Sequence, residues 1–134
     1  MLDSTAAVAA ERQGRTARQL LESVALETGD EGIAISVVTV LELSHGITRA
    51  DTPDRRERRQ RFLDDLLTGV PVQPVTVPIA LRAGQIDGQS QTRGVRIPLS
   101  DLLIGVSALE LGYGVGTANV RHFQLIPGLN VVRI

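Results

Sequence analysis

Apolar and polar positions along this chain follow two periods in turn. Short β-branched pieces alternate with longer stretches whose apolar residues recur at helical spacing, the order expected of an α/β fold on a mostly parallel sheet. "STAAVAAERQ", opening just after Asp3, reads as a short helix, and "RTARQLLESVALE" (15–27) as a second, closed by "TGDEG". "IAI" (33–35) is a brief strand, and Ser36 can cap the helix of "VVTVLELSHGITRA" that follows. The best-marked helix is "DTPDRRERRQRFLDDLLTG", with Thr52 as cap, Pro53 at its first position and Gly69 as stop. "VPVQPVTV" is extended and too proline-rich for the middle of a regular ladder. Pro78 opens another helix running to about Arg93, and "SDLLIGVSALELG" supplies the next, capped by Ser100 and ended by Gly112. "GVGT" is a brief strand, "NVRHFQL" a helical turn and "LNVVRI" the closing strand. No repeat or linker divides the 134 residues, which read as one domain, 1–134.

Composition narrows the chemistry. All 14 basic residues are Arg, so lysine-based Schiff-base and P-loop chemistry is excluded, and so is a phosphoaspartate receiver with Asp3 as acceptor. With no Cys there are no disulfides, thiolate metal sites or thiol nucleophiles. Only His45 and His122 could supply imidazole, which leaves carboxylate oxygens as the main ligands of any metal and points to Mg²⁺ or Mn²⁺. Net charge is −1, so contact with nucleic acid would need a local basic patch. "IAISVVTVL", the longest apolar run, is too short to span a bilayer, and the first residues lack a signal-peptide pattern. A cytoplasmic protein is the expectation.

Asp101 raises the sharpest question, because it opens a run as apolar as "LLIGVSAL". At the first position of a helix capped by Ser100, its charge suits the helix dipole and needs no further account. The rival reading joins it to other acids around a metal. The helix it opens is apolar nearly all round, so it is packed on several sides. Asp101 shares a face with Gly105 and Ala108, which lets another element approach closely, and a buried carboxylate needs partners. Asp3 stands at a strand-to-helix junction, as a cap or as a ligand at the carboxyl end of a parallel strand. Glu42 projects from the flank of the stripe Val37, Val40, Leu41, Leu43 and Ile47, where a solvated glutamate is the plainer alternative. In "TANVRHF", Asn119 can cap a turn or bind a metal through its amide oxygen, and His122 can be a ligand, a proton carrier or a surface residue.

Together, "LDST", "SVVTVLELSHGI", "IPLSDLLIGVSAL" and "TANVRHFQLIPGLNV" resemble, in content and order, the PIN-domain family, and more narrowly the VapC-type toxins of bacterial toxin–antitoxin pairs. The resemblance covers nearly the whole chain. It implies a Mg²⁺- or Mn²⁺-dependent endoribonuclease on a Rossmann-like three-layer α/β sandwich, a short mostly parallel sheet flanked by helices. It maps the metal-binding acids onto Asp3, Glu42 and Asp101, places Asn119 fourth, and implies an RNA substrate, a homodimer and a cognate VapB-type antitoxin that blocks the site. Thr5 and Thr117 are supporting hydroxyls in this picture, with His122 nearby. Two departures stand out. Asn119 occupies a position where family members often carry aspartate. Asp3 follows only two residues, so the first strand is very short or begins upstream.

Two other features weigh on function. "RRERRQR" (55–61) can track an RNA backbone or form a solvated face with pairs such as Asp54–Arg58 and Glu57–Arg61. Three aromatics, Phe62, Tyr113 and Phe123, offer little base-stacking surface, so recognition would rest on backbone charge and shape. The glycines of "GYGVGTA" follow a helix rather than a strand, which sets aside a dinucleotide-binding loop. A PIN-like module that binds a partner without cleaving is the alternative to the nuclease.

Overall fold

The computed structural model describes residues 1–29 and 32–134, so Asp30 and Glu31 of the expected "TGDEG" stop lie outside it. Among the described residues the four named strands are β1 (Ile35–Ser36), β2 (Val72–Gln73), β3 (Val115–Thr117) and β4 (Val131–Arg133). β1 pairs with β2 and β3 with β4, both parallel, with Ile35 opposite Val72 and Val115 opposite Val131. A single residue joins the halves: Leu2 bridges in parallel to Ile35 on one side and to Gly116 on the other. Its amide donates to the Ala34 carbonyl at 2.8 Å, and the Asp3 amide donates to Gly116 at 2.9 Å. Leu2 therefore holds the central position of the sheet, in the order β2, β1, Leu2, β3, β4.

Among the described residues seven helices pack on this sheet: α1 (Ser4–Arg12), α2 (Ala17–Thr28), α3 (Val37–Thr48), α4 (Pro53–Gly69), α5 (Val77–Thr92), α6 (Leu99–Leu111) and α7 (Val120–Phe123). Strand periodicity sends alternate side chains to opposite faces. Met1 accordingly joins a core with Ile79, Ile104, Val106 and Phe123, whereas Leu2 joins a second with Leu20, Ile35, Phe62 and Leu66. The result is the three-layer sandwich expected from the sequence.

Most helix starts fall where the sequence places them. Asp3, Thr16, Ser36 and Thr52 each accept a first-turn amide, and Thr16 forms a reciprocal capping box with Gln19. Two starts differ. Thr76 caps α5, so the helix opens at Val77 rather than Pro78. Ser100 does not cap α6: the Leu102 amide bonds the Pro98 carbonyl at 2.9 Å, so Pro98 holds the cap position and supplies no side-chain bond. Proline's fixed φ and extended ψ fit the chain's entry into the helix, and Asp101 moves to the third helical position, still within the positive end of the dipole. Gly112, at φ +78°, ends α6 in the left-handed conformation. "VPVQPVTV" contributes only Val72–Gln73 to the sheet, between Pro71 and Pro74.

The small face of α6 is used for close approach. A Cβ on Gly105 would overlap Ile126 Cδ1 and come within 3.2 Å of Leu129 Cδ2. Gly46 in α3 is the opposite case, since a Cβ there meets nothing within 4 Å. Gly46→Ala is expected to raise unfolding stability by about 0.5–1 kcal/mol through helix propensity. Gly105→Ala is expected to lower it by about 1–2 kcal/mol, overpacking outweighing the same propensity gain. Urea unfolding of the two variants checks the pair, and equal shifts would contradict the packing described.

Candidate functional site

The strands are parallel, so their carboxyl ends share one edge, and the helices that follow begin there. Asp3 follows the Leu2 bridge directly, Ser36 ends β1 and Thr117 ends β3. Asp3 is the most confined of the candidate acids, at 1% exposure.

Its two oxygens have different surroundings. Oδ2 accepts the Thr5 hydroxyl at 2.6 Å and the Thr117 hydroxyl at 2.9 Å, with the Thr5 amide at 3.4 Å. Those hydroxyls are themselves acceptors, Thr5 from the Ala118 amide at 3.2 Å and Thr117 from the Asn119 amide at 3.0 Å. Two amide-to-hydroxyl chains thus converge on one oxygen, each link polarising the next. Oδ1 is buried and has no hydrogen-bond partner. A buried carboxylate oxygen without a donor is costly, and a cation is the natural group to face it.

Glu42 stands in the second turn of α3, half-buried rather than solvated, and Oε1 accepts the Ser4 hydroxyl at 3.1 Å. Burial raises its pKa above the ordinary carboxylate value. The Ser4 bond acts against this, the Asp3 and Asp101 charges add to it, and Ser100 opposes it more weakly. Asp101, with 18% of its side chain exposed, has its pKa raised first by burial. The bond from His122 opposes that rise and the Asp3 charge adds to it. His122 Nδ1 lies 2.7 Å from Asp101 Oδ2, a pairing in which the ring N–H donates to the carboxylate.

The Asp3 charge is therefore near enough to raise the pKa of both Glu42 and Asp101, and the Asp101 charge that of Glu42. Each is held by a different neighbour: Asp3 by the threonines, Glu42 by Ser4, Asp101 by His122. Among the described residues no three His, Asp or Glu side chains already close into a coordination cluster. The donor set, three carboxylates with one orphaned buried oxygen, nonetheless fits a hard divalent ion.

Asn119 is exposed, makes no side-chain cap bond and meets the network only through its backbone. Beyond Asn119, the side chain that reaches the acids belongs to His122. Sequence reasoning did not single out Ser4, whose signal was its place directly after Asp3. It also gave Ser100 to the backbone of α6, whereas the hydroxyl acts on Glu42. The basic run divides. Arg61 pairs with Glu57 at 3.0 Å as expected, Arg55 pairs with Asp51 at 3.0 Å, and Asp54–Arg58 forms no pair within 4 Å.

The comparisons with known proteins agree with this architecture. The PIN domain model matches residues 1–126. Over 100 residues the chain is 37% identical to ribonuclease VapC10 of Mycobacterium tuberculosis, covering 75% of this chain and 69% of that protein. Over 99 residues it is 27% identical to the tRNA(fMet)-specific endonuclease VapC of Salmonella typhimurium, covering 74% and 73%. Among solved structures it is similar to VapBC2 from Rickettsia felis bound to a DNA fragment from their promoter. The TM-score is 0.84 at 23% identity, over 100% of this chain and 97% of that one. VapBC-1 from nontypeable Haemophilus influenzae follows with a TM-score of 0.81 at 25% identity, over 99% and 96%. With a family match across almost its full length and that degree of identity to a VapC ribonuclease, the chain belongs to the PIN domain family, among its VapC-type members.

Proposed function

We propose that this chain is a divalent-metal-dependent endoribonuclease, the toxin of a toxin–antitoxin pair, with Asp3, Glu42 and Asp101 holding the metal. The observation that carries the reading is Asp3 Oδ1, buried and unpartnered at the carboxyl edge of the parallel sheet, with Glu42 and Asp101 near enough for the Asp3 charge to raise their pKa values. The VapC relatives supply the reaction class, and the VapBC neighbours supply a VapB-type antitoxin as partner. No helix among the described residues is long and apolar enough to cross a membrane, in keeping with a cytoplasmic setting. The expected homodimer has candidate contact surface in exposed apolar side chains such as Leu41, Leu81 and Leu99.

Phosphodiester hydrolysis adds water at phosphorus, breaks one P–O bond and delivers a proton to the leaving oxygen. A bound Mg²⁺ or Mn²⁺ supplies charge neutralisation and a more acidic water. The chain's own residues supply geometry. The Thr5 and Thr117 hydroxyls hold Oδ2 of Asp3, which leaves Oδ1 as its ligand atom. His122 holds Oδ2 of Asp101 in the same sense. Ser4 orients Glu42. Asn119, exposed at the rim, is placed to position a phosphate oxygen or a water through its amide.

Cleavage of single-stranded RNA should require Mg²⁺ or Mn²⁺ and stop with EDTA. Asp101→Asn should reduce it by at least about a hundredfold with the fold kept, and His122→Ala should weaken Mn²⁺ binding about 10–100-fold in calorimetry. Full activity in Asp101→Asn would remove that residue from the mechanism. No metal binding dependent on Asp3 and Asp101 would favour the non-cleaving partner module.

Stability carries an independent sign. The folded-state pKa values of Glu42 and Asp101 are raised, so the folded chain binds more protons than the unfolded one between the ordinary and the raised values. In EDTA, stability should therefore fall as pH rises through that window, and the penalty should be absent below the ordinary carboxylate range. At neutral pH in EDTA, Asp101→Asn should melt above the native chain, and Mn²⁺ should raise the native melting temperature more than the variant's. Scanning fluorimetry checks this; a variant that melts lower in EDTA and gains equally from Mn²⁺ would contradict the repulsion.

A further inference from the structure

Glu42 faces two ways. Beside it, between α1, α3 and α4, opens a groove of about 330 Å³ with apolar walls that include Ala7, Leu43 and Phe62. Three arginines line it, one from each helix: Arg12 in the last turn of α1, Arg49 at the end of α3 and Arg59 from the basic run of α4. Arg59 is half-buried and donates to the Gly46 carbonyl at 2.6 Å, which ties α4 to α3 across the groove floor. Arg12 and Arg49 are exposed. Among the described residues no carboxylate lies within 4 Å of any of the three guanidiniums, as holds for most arginines of the chain; what sets these three apart is that they line one groove. Glu11 and Glu42 are the acids on the lining. On a chain of net charge −1, three unpaired cations around one groove form a local basic patch.

We propose that this groove carries the single-stranded RNA that flanks the cleaved bond, with Arg12 and Arg49 on its phosphates. The inference deepens the nuclease reading and rests on it. Guanidinium groups match phosphate oxygens in charge and geometry. Apolar walls accept a ribose or base face, although Phe62, buried in the wall, offers little surface to stack on. The groove is continuous with Glu42, so a strand with a phosphate at the acids extends into it. The run 55–61 thus splits by function, Arg59 turning inward toward the substrate path while Arg55 and Arg61 stay in surface pairs.

The test uses fluorescence anisotropy with a 12-nucleotide single-stranded RNA of mixed sequence, titrated with the full chain carrying Asp101→Asn in EDTA. Arg12→Gln and Arg49→Gln, each added to that background, should weaken binding roughly three- to tenfold and lower the slope of log K against log salt by about 0.7. Gly46→Leu should weaken binding by narrowing the groove and leave the slope unchanged, and the open space at Gly46 lets this variant fold. In chains with Asp101 intact, the arginine variants should raise KM by the same factor and keep kcat. Unchanged affinity and slope in all three variants would overturn the proposal. So would loss of binding to an apolar peptide partner with RNA affinity intact, which would make the groove a protein-docking site. Arginine-dependent RNA binding in a chain that cleaves nothing with Mg²⁺ or Mn²⁺ would leave the groove standing and remove the hydrolase.

Discussion

The parallel pairing of Leu2 with two strands at once is the constraint on which the rest of the molecule depends. Its neighbours in sequence are sent to different places by strand geometry alone: Met1 into one core, Leu2 into the other, and Asp3 to the carboxyl edge. The hydrogen bonds on either side set the height of Asp3 in the sheet, since its amide is fixed to Gly116 at 2.9 Å. Thr117, one residue further along β3, is then level with the Asp3 carboxylate and can donate to it. A slip of one residue would exchange the two cores' side chains and remove that level.

Against this rigid frame Glu42 and Asp101 are unfavourably placed. Burial and the charge of Asp3 both disfavour their charged forms, and the neighbours offset only part of that: the Ser4 hydroxyl at Glu42, the His122 imidazole at Asp101. The cost is borne by an otherwise consistent structure with two well-filled cores, capped helices and few buried polar atoms left unpaired. Local conflict inside a locally consistent fold is the pattern expected of a functional site.

The layering and the element order were legible in the sequence because β-branched pieces, cap residues and apolar stripes are local signals. Thr52 with Pro53 marked α4, and Gly112 marked the end of α6, by conformational preferences that need no tertiary context. The start of α6 was misread for the same reason. Ser100 is a good cap in isolation, but Pro98 already fixes the entry, and the Ser100 hydroxyl acts on a residue 58 positions earlier in the chain. Asp3, Glu42 and Asp101 were legible as an ordered set through family resemblance. Their neighbours were less so. That His122 rather than the Asn119 side chain meets Asp101, and that Ser4 meets Glu42, depends on contacts across 21 and 38 positions that no local pattern records.

The junctions at the site edge hold a last consequence. Asp3 is at once the end of the central pairing and the cap of α1, and Ser36 is both the last residue of β1 and the cap of α3. Beyond β3, only Ala118 and Asn119 precede α7. Such hinge-free corners tie that side of the edge directly to the sheet, whereas α6 brings Asp101 in after a connection at 93–98. Any accommodation of a ligand therefore falls on the α6 side, the one acid-bearing corner with chain to spare.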